Sequence, residues 1–336
     1  RHTRLQGDWS SDVCSSDLKG DVESHKNVTS MSKTVLVTGA TGLVGTALLH
    51  YLETSNQWQC RYLTRSKNAK SLHGADAFYW DPDQFEVQNG ALEGVDAIVN
   101  LAGATVANRW SKGYKAEILS SRVNGLKTLN RALSNSEHSV KQLVSASAIG
   151  FYKSDFENSY TEASTQSDPG FLSEVVQRWE AEADRFESLN ISVSKLRFGI
   201  VFSTRGGALP KLMQPTSIGL GAALGAGEQW QSWIHIEDLV RAIIHSLDSK
   251  NEGVYNVVSP YPEKAIEISD RLASVMKRPF WLKRSPEFMI KLLLGEMSEM
   301  VLQSQKVVPE RLLNEGFEFH YPNLTEALTD LIQTRK

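Results

Sequence analysis

Apolar and polar positions along the chain fall into blocks whose period switches between strand and helix. Thr34-Val35-Leu36-Val37 is a short β-branched apolar run, the pattern of a parallel strand buried on both faces. A helical stretch over residues 46–53 follows it. The same alternation then repeats: a strand at 61–65, a strand at 96–103, a helix over 112–133, a strand at 142–145, a helix over 172–189 and a strand at 193–198. Strands alternating with helices of these lengths predict an α/β protein, a Rossmann-type doubly wound parallel sheet. From about Lys264 onward the pattern is helical, with amphipathic segments at 267–276 and 286–302, a helix end at Asn314-Glu315-Gly316 and a last helix at 324–332. The expected organisation is a Rossmann domain over 31–263 and a smaller, mainly helical C-terminal lobe over 264–336.

Between the first strand and its helix stands Thr38-Gly39-Ala40-Thr41-Gly42-Leu43-Val44-Gly45. Each glycine of such a turn has a physical task. One makes the tight turn, one lets backbone approach a pyrophosphate, and one lets the helix sit close against the sheet. The free N–H groups of the helix then meet the phosphates. Thr38, Gly39, Thr41, Gly42, Leu43, Val44 and Gly45 are therefore candidate cofactor residues. The second strand ends at Arg65-Ser66, and no Asp or Glu occurs between Glu53 and Asp76. A carboxylate there would hold ribose hydroxyls and repel a 2′-phosphate, whereas Arg65 suits that phosphate. The expected cofactor is NADP(H), with Arg65 and Ser66 on its adenosine side. Small residues at Leu101-Ala102-Gly103, and Ser145 at the end of its strand, complete the expected cofactor edge.

The 336-residue chain has 41% hydrophobic and 22% charged residues and a formal charge of −3. That balance gives no electrostatic reason to expect nucleic acid. No apolar run reaches the ~18 residues of a membrane span, so no membrane partner is expected. Two cysteines, Cys14 and Cys60, have no metal or redox spacing, and a cytoplasmic setting without metal is the expectation. Residues 1–30 are polar and aperiodic, and Asp12-Val13-Cys14-Ser15-Ser16-Asp17-Leu18 resembles a translated sequencing adapter. This stretch is expected to be an artefactual or disordered tail, with the protein proper beginning at Met31.

Longer motifs carry a resemblance. Thr38-Gly39-Ala40-Thr41-Gly42, Asn100-Leu101-Ala102-Gly103 and Ser145-Ala146-Ser147-Ala148-Ile149-Gly150 resemble the extended short-chain dehydrogenases/reductases. Arg109-Trp110, Ser121-Arg122, Trp179-Glu180, Gly206-Gly207-Ala208-Leu209-Pro210, the run from Gly225 to Asp238 and the tail motif Leu294-Gly295-Glu296 narrow it to the epimerase-family branch, whose C-terminal domain has no known function. The resemblance implies a Tyr-x-x-x-Lys pair in which lysine lowers the tyrosine pKa and tyrosine moves the proton that accompanies hydride transfer. None of the nine tyrosines has lysine four residues on, and the helix leading to Trp179-Glu180 reads Leu172-Ser173-Glu174-Val175-Val176. The candidate catalytic groups are then Ser147, with Ser145 open as the alternative register, and Tyr152 as a substitute acid. Arg109, Arg122, Trp233 and His235 are candidates for the substrate pocket, with a helix-face ion pair open for Arg122, simple packing for Trp233 and a hydrogen-bonded core role for His235.

Three functions fit these residues. One is an oxidoreductase or epimerase with atypical acid/base groups acting on a small carbonyl or sugar-nucleotide substrate. A second is a noncatalytic NADP(H)-binding sensor or scaffold. A third, with no basic cluster for a second diphosphate to support it, is a sugar-nucleotide dehydratase or isomerase. A monomer or homodimer is expected, and nothing in the sequence names the substrate.

Overall fold

Strand β1 (Lys33–Thr38) is buried from its second residue to its last, and its side chains divide between two apolar clusters. Val35 and Val37 enter the cluster on one face of the sheet, Leu36 the cluster on the other. This follows from the two-residue period of a strand and explains why the run shows no polar alternation. Around it lie β2 (Trp58–Thr64), β3 (Asp76–Asp81), β4 (Glu86–Val87), β5 (Ala97–Asn100), β6 (Gln142–Ala148), β7 (Ser192–Phe198) and β8 (Gly253–Val257). The order across the sheet is β8-β7-β6-β5-β1-β2-β3-β4. Every neighbouring pair is parallel except β3 with β4. The computed structural model describes residues 33–55 and 57–334, so the expected tail at 1–30 lies outside the described residues.

Helices cover both faces. α1 (Leu43–Ser55) and α5 (Ile236–Ser249) bury Leu48, Leu52, Leu239 and Ile243 on the Val35 side. α2 (Lys112–Ser134) and α3 (Phe171–Asp184) bury Leu126, Leu129, Trp179 and Ala183 on the Leu36 side. Strand order runs outward in both directions from the β1/β5 pair. A ligand crevice therefore opens beyond the carboxyl ends of those two strands, where the winding reverses.

The C-terminal third contains α4 (Ala208–Ser217) before α5, then α6 (Ala265–Val275), α7 (Glu287–Leu294), α8 (Ser298–Leu302), α9 (Glu310–Asn314) and α10 (Leu324–Thr329). The single helix expected at 286–302 is two helices joined by a 3₁₀ turn, Gly295–Met297. Gly295 sits at φ 59°, a conformation that ends α7 and that side chains resist. α5 begins at Ile236, where His235 Nδ1 accepts the Glu237 amide at 3.1 Å and caps the helix. Residues after 264 share the main core: Leu312, Phe317, Leu324 and Leu328 belong to the same buried cluster as Leu49 and Ile243. Asp238 on α5 adds a polar tie, accepting the amides of His320 at 2.8 Å and Tyr321 at 2.9 Å.

Leu36 is fully buried at the centre of this sheet. Leu36→Ala is expected to lower unfolding free energy by about 2–5 kcal/mol in urea titration. A loss under about 1 kcal/mol would contradict the assignment of this strand to the central, doubly covered position.

Candidate functional site: a glycine turn at the sheet's switch point

The turn after β1 is shaped by absence of side chains. Gly39 adopts φ +67°, and a Cβ there would stand 2.6 Å from the Leu101 carbonyl. A Cβ on Gly45 would stand 2.3 Å from Gly39 O, so the first turn of α1 passes too close to the loop for any other residue. Gly42 is different: its Cβ would meet only Gly39 O, at 3.2 Å. It is exposed and faces the space that a phosphate would fill. No acidic residue lies in the first turn of α1, so its N-terminal dipole and free N–H groups are available to an anion. These residues fit a dinucleotide pyrophosphate.

A buried polar chain fixes the strand ends around this turn. Thr38 Oγ1 donates to Asn100 Oδ1 (2.8 Å) and accepts the amides of Leu101 (3.1 Å) and Ala102 (3.2 Å). Asn100 Nδ2 donates to Ser145 Oγ (3.1 Å), which donates to the Ala146 carbonyl (3.2 Å). Thr38, Asn100 and Ser145 are all buried, so this chain locks the carboxyl ends of β1, β5 and β6 into one edge. The structure thus brings Thr38, Gly39, Thr41, Gly42, Leu43, Val44, Gly45, Leu101, Ala102, Gly103 and Ser145 together, with Ser145 acting through Asn100. Asn100 is the member that sequence reading gave no role. Leu63 pairs with Thr38, so Arg65 and Ser66, both exposed, leave β2 at the same edge. The other arginine of β2, Arg61, is turned to the loop before β5, donating to Glu93 O (2.6 Å) and Gly90 O (3.1 Å). Across the turn, Gly206 and Gly207 approach Leu43, where a Cβ would lie 3.4–3.6 Å from its methyl groups.

The expected chemistry lies elsewhere or is tied up. Ser147, next to last in β6, stands beside Arg197 of β7, and its hydroxyl donates to Glu180 Oε1 on α3 at 2.5 Å. Arg197 closes the group with two bonds to Glu180, 2.8 and 2.9 Å, and its guanidinium lies 3.7 Å over the Phe151 ring. Burial alone would lower the Arg197 pKa, but its bonds and charge pairing with Glu180 outweigh that and raise it. The first turns of α3 hold Leu172 in an apolar cluster with Trp110 and Val175, Val176 is buried, and Ser173 donates to Phe151 O at 3.0 Å. α3 itself contains no tyrosine or lysine, and the Lys115 ammonium of α2 lies 5.0 Å from the Phe171 ring at its start. Sequence reading quoted Glu180 only within a family motif and passed over Arg197, although an arginine near the end of β7 and a lone acid among the buried positions of α3 were the available signals.

Tyr152 is fully buried, its hydroxyl donating to Asn256 Oδ1 (2.7 Å) or Thr161 O (3.1 Å), and burial raises its pKa. That placement packs it with Tyr160 and Val258, the Arg197 guanidinium 4.9 Å from its ring. His235 is equally buried, capping α5 through Nδ1 with Nε2 3.3 Å from Asp330. Trp233 stacks on Phe202 and donates to Tyr261 O at 3.1 Å. Arg122 donates to Ala104 O and Ile118 O behind Gly103; burial lowers its pKa to about 10, which leaves it charged at neutral pH. Arg109 is exposed on the loop after β5. One group of possible metal ligands does form: His50 and Glu53 of α1 with His73, ligand atoms within 4.8 Å of one another. It is a surface group some two turns along α1 from the glycine turn, where His73 bonds Glu53 at 3.1 Å and clamps the loop before β3 to the helix.

A doubly wound parallel sheet with a phosphate-shaped glycine turn at its switch point defines the class, a Rossmann-type dinucleotide-binding fold. The comparison with known proteins specifies it: residues 35–258 match the NAD dependent epimerase/dehydratase family, and residues 285–331 match a domain of unknown function, DUF1731. The chain belongs to that epimerase/dehydratase family. It is 39% identical to an epimerase family protein of Staphylococcus saprophyticus and 40% to one of Staphylococcus haemolyticus, in each case covering 89% of this chain and 99% of the relative. Among solved structures it resembles human epimerase family protein SDR39U1, crystallised with NADPH, at 28% identity and TM-score 0.78 over 89% of this chain and 98% of that one. It also resembles a nucleoside-diphosphate sugar epimerase of Corynebacterium glutamicum, at 29% identity and TM-score 0.72 over 90% of this chain and 58% of that one.

The Ser147–Glu180–Arg197 group makes unequal predictions for its members. Ser147→Ala removes one hydrogen bond and leaves the ion pair, with an expected cost of about 1 kcal/mol. Glu180→Ala strands a buried guanidinium and should cost about 3–5 kcal/mol. Chemical denaturation of both variants checks this. Equal losses would mean that the three residues do not form the buried pair described.

Proposed function

We propose that this chain binds NADP(H) and does not carry out hydride transfer by the tyrosine–lysine route of its superfamily, so that it serves as a nucleotide-responsive sensor or scaffold. The observation that carries the reading is the contrast between the two halves of the site. The glycine turn and its polar chain are complete, whereas α3 presents Leu172, Val175 and Val176, and Ser147 is committed to Glu180. Arg65, exposed at the edge of β2 with no acid near it in sequence, supports the 2′-phosphate. The NADPH bound to the human relative agrees with that choice.

A second reading has its own support. The family and the Corynebacterium relative are named for epimerase chemistry, and the exposed Arg109 lies on the loop beyond β5, where a substrate would enter. On that reading the protein is an oxidoreductase or epimerase of a small carbonyl or sugar nucleotide, drawing its proton from solvent or from a group freed by substrate binding.

Calorimetric titration separates the assignments. NADPH should bind at least about 10-fold more tightly than NADH, the value of one charge-assisted contact, and Arg65→Ala should remove most of that margin. Equal affinities in the unaltered protein would refute the NADP(H) assignment. In parallel, NADPH oxidation against carbonyls and sugar nucleotides should stay near the uncatalysed rate. Fast turnover would overturn the sensor reading in favour of the enzyme while leaving the nucleotide assignment intact.

A further inference from the structure

Helix α7 is built inside out. Ile290 is its one buried side chain, while Phe288, Met289, Leu292 and Leu293 are exposed, Leu292 by 84% and Leu293 by 81%. At 3.6 residues per turn these four fall within one arc of about 140°, and Ile290 falls outside it. The apolar stripe of a surface helix normally faces the core; here it faces solvent. Trp281, 79% exposed, and Leu282, 51% exposed, stand on the segment that leads into α7. Exposed apolar side chains clustered like those of α7 mark a binding face.

Charge identifies what covers it. Residues 277–294 contain Lys277, Arg278, Lys283, Arg284 and Lys291, all exposed, against the single acid Glu287, in a chain whose net charge is −3. Lys291 pairs with Glu287 (2.6 Å) and Arg284 with Glu228 (2.7 Å), exposed pairs that exchange readily for another anion. Tryptophan, phenylalanine and leucine set among lysine and arginine is the composition that lies in a lipid headgroup layer, apolar side chains down and ammonium groups at the phosphates. A symmetric contact with a second copy would place these cations against one another, which is unfavourable. Among the described residues no helix is long and apolar enough to cross a membrane.

We propose that the face formed by residues 277–294 docks this protein on an anionic lipid surface. The proposal stands apart from the nucleotide reading, because the glycine turn contributes nothing to this face.

Co-sedimentation of the full chain with phosphatidylcholine vesicles, with and without phosphatidylglycerol, tests it. Binding to the anionic vesicles should exceed binding to neutral ones by at least about 10-fold and fall as salt rises. Leu292→Ser with Leu293→Ser, and separately Lys277→Glu with Lys283→Glu, should each abolish it. All four side chains are exposed, so an unchanged melting temperature confirms that the variants fold. No binding, equal binding to both vesicle types, or binding indifferent to both variants would overturn the proposal. A dimer by light scattering that Leu292→Ser with Leu293→Ser converts to monomer would also overturn it and assign the face to a second copy.

Discussion

The close approach of two backbones at the end of β1 is the constraint from which the site follows. Gly45 allows α1 to start against Gly39 O, and Gly39, at positive φ, allows the loop to touch the chain leaving β5. Those contacts leave no volume for a Cβ. Because the helix begins there, its N–H groups converge on the crevice where sheet winding reverses. The Thr38–Asn100–Ser145 chain then keeps three strand ends level, with every polar group it buries satisfied. Cofactor geometry is thus set by backbone and by a buried network, neither of which depends on the identity of a substrate.

Where β6 and β7 meet α3, the fold is held by packing and by one buried ion pair. Arg197 and Glu180 bridge β7 and α3, Ser147 adds β6, and Phe151 covers the guanidinium. Taking two charges out of water is costly, and the pair is held because two direct bonds and a third from Ser147 satisfy the carboxylate. The result is a buried polar group whose hydrogen bonds join β6, β7 and α3.

Much of the architecture was legible because periodicity reports burial. Apolar runs such as Thr34–Val37 identified central strands, and the glycine spacing predicted the tight turn found between β1 and α1. What failed to show were tertiary commitments. Tyr152 and His235 have side chains equally suited to a crevice or a core, and only the partners Asn256, Thr161 and Asp330 decide the matter. Glu180 and Arg197 lie 17 residues apart in sequence, so their pairing had no local signature. Gly295 hid the break between α7 and α8 because an isolated glycine is tolerated within helical patterns. The outward apolar face of α7 was equally invisible: amphipathic periodicity shows that a helix has an apolar side without saying which way that side faces.

The central claim is that the glycine turn is the nucleotide site, and Gly42 tests it most directly. Gly42 is exposed and has no positive φ, and an added Cβ meets only Gly39 O, at 3.2 Å, which a shift of the turn by a few tenths of an ångström relieves. Gly42→Glu should therefore fold normally while placing bulk and negative charge where phosphates would sit. Thermal melts with NADPH are the measurement. At ~100 times Kd, NADPH should stabilise the unaltered protein by about 2.7 kcal/mol, a rise of a few degrees, and should leave Gly42→Glu unshifted. Equal shifts in the two proteins, or none in either, would contradict the account.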